Sequence, residues 1–306
     1  MESTPKTRDV FTLVTNRIIE DLEKGTIPWK KPWTDSGLPR NLVSGKAYRG
    51  INIWLLNSLG YEQNIFLTFN QVKDLGGSVR KGEKSHLVVF WKWVDEDTKS
   101  NAISDDSKKT VPLLRYYLVF NVAQCENIPE RFMPEKIPQK KNDPIAACDE
   151  VIELMPHAPE IRHKGDEAYY HPFFDFINMP SKEQFINSET YYATLFHELI
   201  HSTGHLSRLN RRELKTATPN NFEAYSQEEL TAEIGACYLS SYAGIDGWDF
   251  TNHVAYIQGW LEKLKNDKRC IVYASTQAQK ATDYILNHRG QDEIETVIVK
   301  ALQNAT

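Results

Sequence analysis

The sequence predicts an α+β protein: N-terminal helices followed by an antiparallel sheet, then a mostly helical C-terminal half with a small sheet. Two observations carry this. Apolar residues recur at helical spacing near both ends of the chain, and two long β-branched and aromatic runs, Leu87–Val94 and Leu113–Val122, stand close together in the first half.

Taken in order, Phe11, Val14, Ile18, Ile19 and Leu22 form one stripe over Phe11–Glu23, with Arg17, Glu20 and Asp21 outside it. Gly25 stops that helix. A Pro/Trp-rich loop, Ile27–Trp33, follows, then a second helix over Ile51–Leu59 and a short third over Thr68–Leu75. The two strand runs flank Asp95–Thr110, which is rich in Asp, Ser and Lys and reads as a mobile hairpin loop. Pro129–Pro144 carries four prolines and reads as a linker. The expected organisation is therefore a domain over 1–130, a linker over 131–144 and a second domain over 145–306. That second part opens with a helix over Ala146–Leu154 and a strand over Tyr169–Ile177 ended by Pro180. A helix over Thr190–Thr203 comes next, then one that Ser226 opens as N-cap, with Glu229 in capping-box position, running to about Tyr242. Helices over Val254–Leu264 and Ile271–Ile285 close the chain. No internal repeat is visible.

A chain of 306 residues with 25% charged residues is long enough for two ordinary cores. It holds no apolar run of about 18 residues or more, so no membrane partner is expected. The start lacks an apolar signal core, and the four cysteines, Cys125, Cys148, Cys237 and Cys270, include no Cys-x-x-Cys pair. They read as reduced thiols of a cytoplasmic protein. The net charge of −5 hides an asymmetry: Lys24–Val94 holds 11 Lys and Arg against 4 Asp and Glu, whereas residues 136–306 hold 17 against 24. A basic stretch with interleaved aromatics points to a polyanion site.

His197-Glu198-Leu199-Ile200-His201 ends an apolar helical run. A separation of four residues puts both imidazoles on one helix face, a turn apart. Two neutral imidazoles so placed bind one Zn²⁺, and the intervening Glu198 is set to act as general base in metal-assisted hydrolysis. A third protein ligand is required. His205 lies eight residues past His197, but Gly204 precedes it and the metzincin pattern fails at Ser207. Glu229 is the preferred candidate, with Glu228 and His205 as alternatives; Glu233, one turn beyond Glu229, is expected to accept a hydrogen bond from a ligand histidine. The cofactor expected is one Zn²⁺ per chain, with another divalent metal as the alternative. No transition-state donor stands out among Tyr169, Tyr170, Tyr192 and Tyr225.

Single-stranded nucleic acid is held by cations along its backbone and by aromatic faces under its bases. The first half offers Trp29, Lys30, Lys31 and Trp33 in one loop, then Arg40, Lys46, Tyr48, Arg49 and Asn52. It also offers Arg80, Lys81 and Lys84 in a Gly-flanked turn. These are the candidate DNA-binding residues.

Several of these segments resemble the ArdC-type antirestriction proteins. In the first half they are Pro28–Trp33, Ser44–Asn52, Thr68-Phe69, Gly77–Lys84 and Val89-Phe90-Trp91. In the second they are Ala168-Tyr169-Tyr170, Asp175, Tyr191–His205, Arg208-Leu209 and Glu228–Ala236. The resemblance implies an N-terminal single-stranded DNA-binding domain and a C-terminal zincin-like metallopeptidase domain. Such proteins belong to mobile elements and shield incoming DNA from host restriction, and their N-terminal module recurs in mobile-element primases. It also implies His197, His201 and Glu229 as metal ligands and Glu198 as general base. No peptidase substrate follows from it; a host protein is the candidate substrate. The tryptophan that usually follows the second histidine is Ser202 here.

Overall fold

The structure, a computed structural model, describes residues 9–25, 38–95, 110–129, 144–216, 222–245 and 253–288. The Trp29–Trp33 cluster, most of the Asp95–Thr110 loop and residues 130–143 of the linker lie outside them.

The α+β expectation holds. Helix α1 (Val10–Glu23) starts at Asp9, whose carboxylate accepts the Phe11 amide, and buries the predicted stripe of Val14, Ile18, Ile19 and Leu22. A four-stranded sheet follows with order β1 (Arg40–Asn41), β2 (Ile65–Thr68), β5 (Thr110–Asn121), β4 (His86–Asp95). Strands β1 and β2 are parallel and the other pairs antiparallel. The long β4–β5 pairing runs in unbroken register from His86↔Val119 to Asp95↔Thr110. Strand β4 is an edge strand, and helix α2 (Ile51–Asn57) covers it. The Asn52 amide donates to the Val89 carbonyl at 2.8 Å, and its oxygen accepts the Val89 N–H at 2.7 Å. One side chain thus satisfies a backbone pair that would otherwise invite another strand. Thr68 and Gln71 form a capping box at helix α3 (Phe69–Asp74), and short strands β3 (Ser78–Val79) and β6 (Cys125–Glu126) pair antiparallel beside it.

In the second half, α4 (Pro144–Leu154) precedes a small sheet of β7 (Glu160–His163), β8 (Tyr169–His171) and β9 (Phe176–Met179), ordered β7-β9-β8. The sequence suggested one strand over Tyr169–Ile177, whereas the chain makes a tight hairpin there. Asp175 takes φ 52°, a left-handed conformation that Asp tolerates better than most residues, and its amide bonds back to His171 at 2.9 Å. The helices are α5 (Ser188–Thr203), α6 (Arg212–Thr216), α7 (Phe222–Ala243), α8 (His253–Asn266) and α9 (Cys270–Ile285). Helix α7 begins at Phe222, so Ser226 sits inside it and is not its N-cap. Every residue from Leu230 to Ser240 is buried, which makes α7 the central helix of the molecule.

The two halves share a core. Trp54 stacks on Tyr238 at 4.9 Å between centroids and 8° between planes. Val14, Val89 and Leu114 join Leu230, Ile234, Leu264 and Ile271 in one apolar cluster. Thr15 donates to the Lys268 carbonyl at 2.6 Å, and Arg49 pairs with Asp283 of α9. The N-terminal half is therefore fastened to the last helices. No helix among the described residues is long and apolar enough to cross a membrane.

Candidate metal centre

Helix α5 is apolar around most of its circumference, with Tyr191, Tyr192, Leu195, Phe196, Leu199 and Ile200 all buried, so packing dictates which way its few polar groups point. Asn187 caps its first turn by accepting the Thr190 amide at 2.8 Å. Helix α7 crosses α5 closely because Gly235 meets Ile200: a Cβ on Gly235 would lie 2.6 Å from Ile200 Cδ1 and 2.8 Å from its Cγ1. That contact brings Glu229 to the two imidazoles.

His197, His201 and Glu229 converge with all donor atoms within 4.8 Å of one another. The two Nε2 atoms are 3.0 Å apart; Glu229 Oε2 is 3.5 Å from His197 Nε2, and Oε1 is 3.6 Å from His201 Nε2. Tetrahedral ligands about 2.1 Å from a common ion stand roughly 3.4 Å apart, so the triangle is the right size for a divalent cation. Burial opposes a charged His197 ring, but Glu229, Glu198 and Glu233 outweigh it and raise its pKa to about 9. Positive charge is favoured at this point, as a cation site demands. Of the alternatives for the third ligand, His205 turns away to Ser207 at 2.7 Å, and Glu228 lies behind His201.

Glu228 supports a ligand ring of the kind Glu233 was expected to hold. Its Oε1 lies 3.2 Å from His201 Nδ1, fixing the ring so that Nε2 faces the triangle. Burial raises the Glu228 carboxyl, yet Arg211 and His201 overcome it and hold its pKa down at about 2. Arg211, itself 2% exposed in its side chain, also donates to the Ile200 carbonyl at 2.8 Å and to the Thr203 hydroxyl. Adjacent residues on a helix point about 100° apart. Glu229 can therefore face the imidazoles from the front while Glu228 reaches one from behind. Glu233 is buried one turn on and acts on His197 through its charge.

Glu198 is 8% exposed, and its Oε2 accepts the backbone N–H of Tyr170 on β8 at 2.8 Å. The hairpin that supplies this amide is pinned by Arg208. Its guanidinium pairs with Asp175, donates to the Ser202 carbonyl at 2.7 Å and the His157 carbonyl at 3.0 Å, and approaches the Tyr170 hydroxyl at 3.2 Å. Burial opposes ionisation of Asp175, but Arg208 and Tyr170 outweigh it and lower its pKa. Tyr225 stands one turn before Glu229, half exposed, and its hydroxyl reaches that carboxylate. The negative charge of Glu229 and partial burial raise the phenol's pKa. Tyr170 and Tyr192 are buried and bonded to Asp175 and Asp149. Tyr169 is 40% exposed and packs on Phe176. Tyr225 is thus the tyrosine hydroxyl at the rim of the triangle. Sequence reasoning missed Arg211 and the Tyr170 amide. Three arginines, Arg208, Arg211 and Arg212, follow the histidine helix, and nothing in their identities singles out Arg211 or marks a backbone donor.

The N-terminal candidates separate into distinct fates. Tyr48 is 8% exposed and packs against Phe66, Asn52 is committed to Val89, and Arg49 to Asp283. All three are engaged within the fold: Tyr48 and Arg49 in the turn that joins β1 to α2, and Asn52 in α2. Arg40 is half-buried in β1. Lys46, Lys81 and Lys84 are exposed, and Arg80 is exposed but paired with Glu83 at 3.0 Å.

Comparison with known proteins accords with this arrangement. The family described as the N-terminal domain of anti-restriction factor ArdC matches residues 8–120, and a zincin-like metallopeptidase family matches residues 149–277. The metal-free crystal structure of the antirestriction protein ArdC from plasmid R388 is 38% identical to this chain, with a TM-score of 0.72 over 90% of this chain and 96% of that one. The chain belongs to the ArdC antirestriction family. The Mn(II)-bound form of the R388 ArdC is similar at 37% identity and a TM-score of 0.72, covering 92% and 99% of the two chains. For an ArdC chain, a divalent-metal site built by His197, His201 and Glu229 is consistent with a metal-bound relative. An uncharacterized protein, y4eC, of Sinorhizobium fredii is 34% identical over 93% of this chain and 94% of its own length. Two Escherichia coli proteins described as DNA primase TraC are each 35% identical over 95% and 90% of this ArdC chain, which spans only 28% and 20% of their lengths.

Proposed function

We propose that this chain protects incoming DNA from restriction in the cytoplasm by binding it as single strands through its N-terminal half while a zinc peptidase centre in its C-terminal half acts on a host protein. The observation that carries the hydrolytic part is the pairing of a cation-sized donor triangle with a carboxylate one residue from a ligand and fixed by a backbone amide. Bound Zn²⁺ would polarise a carbonyl and acidify a water. Glu198 takes the proton of the attacking water and returns it to the departing amine. The Tyr170 amide keeps Oε2 occupied, which leaves Oε1 for that proton. The Tyr225 hydroxyl, which contacts Glu229 at the rim of the triangle, would turn from that carboxylate to donate to the oxygen that gains negative charge. Strand β8 lies at the edge of its sheet, and the backbone flanking Tyr170, whose own N–H is held by Glu198, is available to an extended polypeptide.

Glu198→Gln tests the reading in a conjugative-transfer assay, with metal content and DNA affinity measured on the same preparation. The expected outcome is retained metal and DNA binding with loss of protection. Full protection by that variant removes proteolysis from the mechanism and favours a reading in which the chain coats DNA and its metal is structural. The basic, aromatic N-terminal half supports that second reading, and under it Arg80→Glu with Lys84→Glu abolishes protection instead.

A further inference from the structure

Resting on the single-stranded DNA reading above, we propose that the strand lies across the outer face of the β4–β5 pair, with bases stacked on Phe90 and Tyr117 and phosphates held by Arg115 and Lys92. Tyr48, the candidate stacking aromatic among the described residues, is buried in the core and offers no ring face to a base. Side-chain alternation puts His86, Val88, Phe90 and Lys92 of β4 on one face. Their cross-strand partners Val119, Tyr117, Arg115 and Leu113 share it.

The two ends of that face differ. At one end Val88 and Val119 are fully buried under Tyr48, Leu56 and Phe66. At the other, Phe90, Tyr117 and Leu113 are 42%, 37% and 39% exposed, and Arg115 and Lys92 are exposed with them. The Phe90 and Tyr117 rings stand 5.7 Å apart at 60°. A sheet face turned to water normally carries polar residues at such positions.

Charge selects the occupant. No acidic residue occurs within 86–94 or 111–121. Neither Lys92 nor Arg115 has an ion-pair partner among the described residues. Arg115 is directly opposite Phe90, and Lys92 is the next residue along β4 on the same face, roughly 6.6 Å away. The exposed Lys81 and Lys84 precede the start of the same strand. Flat π faces between unopposed cations suit a polyanion with unpaired bases better than an apolar protein surface or a duplex whose bases are stacked internally.

The test is fluorescence anisotropy of the full chain with a labelled oligothymidylate, at several salt concentrations, against duplex of equal length. Phe90→Ala with Tyr117→Ala should weaken single-strand binding by roughly tenfold or more per ring and leave the salt slope unchanged. Lys92→Ala with Arg115→Ala should lower that slope by about 1.4. Phe174→Ala, 65% exposed at the hairpin beside the metal centre, should bind as the parent does. If the alanine pair fails to fold, Phe90→Tyr with Tyr117→Phe should retain affinity, and Phe90→Leu with Tyr117→Leu should lose it. Parent-like affinity in folded aromatic variants overturns this face while leaving the single-strand reading intact. A parent chain that does not prefer single strands to duplex overturns both.

Discussion

Replacing Glu228 with glutamine removes one negative charge from a buried three-way contact without changing its size. Arg211 and Glu228 are 2% and 3% exposed in their side chains, so the guanidinium would be left in the interior without its counter-charge. Breaking a buried pair on one side costs about 3–5 kcal/mol. Bonds from Arg211 to the Ile200 carbonyl and the Thr203 hydroxyl remain, which places the expected loss near the lower figure. A protein with about 5–15 kcal/mol of stability stays folded. The second consequence falls on the metal: His201 loses the acceptor that orients its ring, and removal of such a partner lowers affinity about 10–100-fold. Chelator competition reads the affinity and denaturant melts read the stability, with Glu233→Gln as the control. The pH dependence has a definite sign. The Glu228 carboxyl sits at about 2 in the folded chain against an ordinary 4.5, so its contribution is complete above 4.5 and disappears as the pH falls towards 2. The stability gap between parent and variant should therefore be flat in neutral buffer and narrow in acid. Parent-like metal affinity in Glu228→Gln, together with loss in Glu233→Gln, refutes the assignment.

Gly235→Ala should cost about 1–3 kcal/mol, because its Cβ would collide with the buried, β-branched Ile200, and should weaken metal binding by separating Glu229 from the imidazoles. Unchanged melting and metal titration would show that α5 and α7 do not depend on that contact. Asp175→Asn preserves a side chain tolerant of the left-handed turn but deprives Arg208 of a charged partner. A loss of about 1.5–3 kcal/mol is expected at neutral pH. The folded pKa of Asp175 is depressed, so the loss should shrink as the pH drops below about 4; a gap that persists in acid contradicts the ion-pair account.

Much of the local structure was legible in the residues. The apolar stripe of α1 carries a helical period, the two runs that became β4 and β5 are rich in β-branched and aromatic residues, and the His-x-x-x-His spacing marks the histidine helix. Turn chemistry was harder. The hairpin within Tyr169–Ile177 hides because two of its four turn residues, Phe173 and Phe174, are aromatic and prolong the strand-like run, and the reversal depends on Asp175 accepting a left-handed backbone under the hold of Arg208. Ser226 has the chemistry of a cap, yet α7 begins a turn earlier.

His197, Glu198 and His201 follow from sequence because their spacing along one helix already places them together; covalent geometry does the work. Which acid completes the triangle and which holds a ring from behind is different. Glu228, Glu229 and Glu233 are chemically alike, and only the close crossing of α7 over α5 and the burial of Arg211 assign their tasks. The same holds for the basic aromatic half. Composition announces cations and rings, but burial of Tyr48 and exposure of Phe90 and Tyr117 are set by how two faces of one sheet are covered, and that depends on contacts distant in the chain.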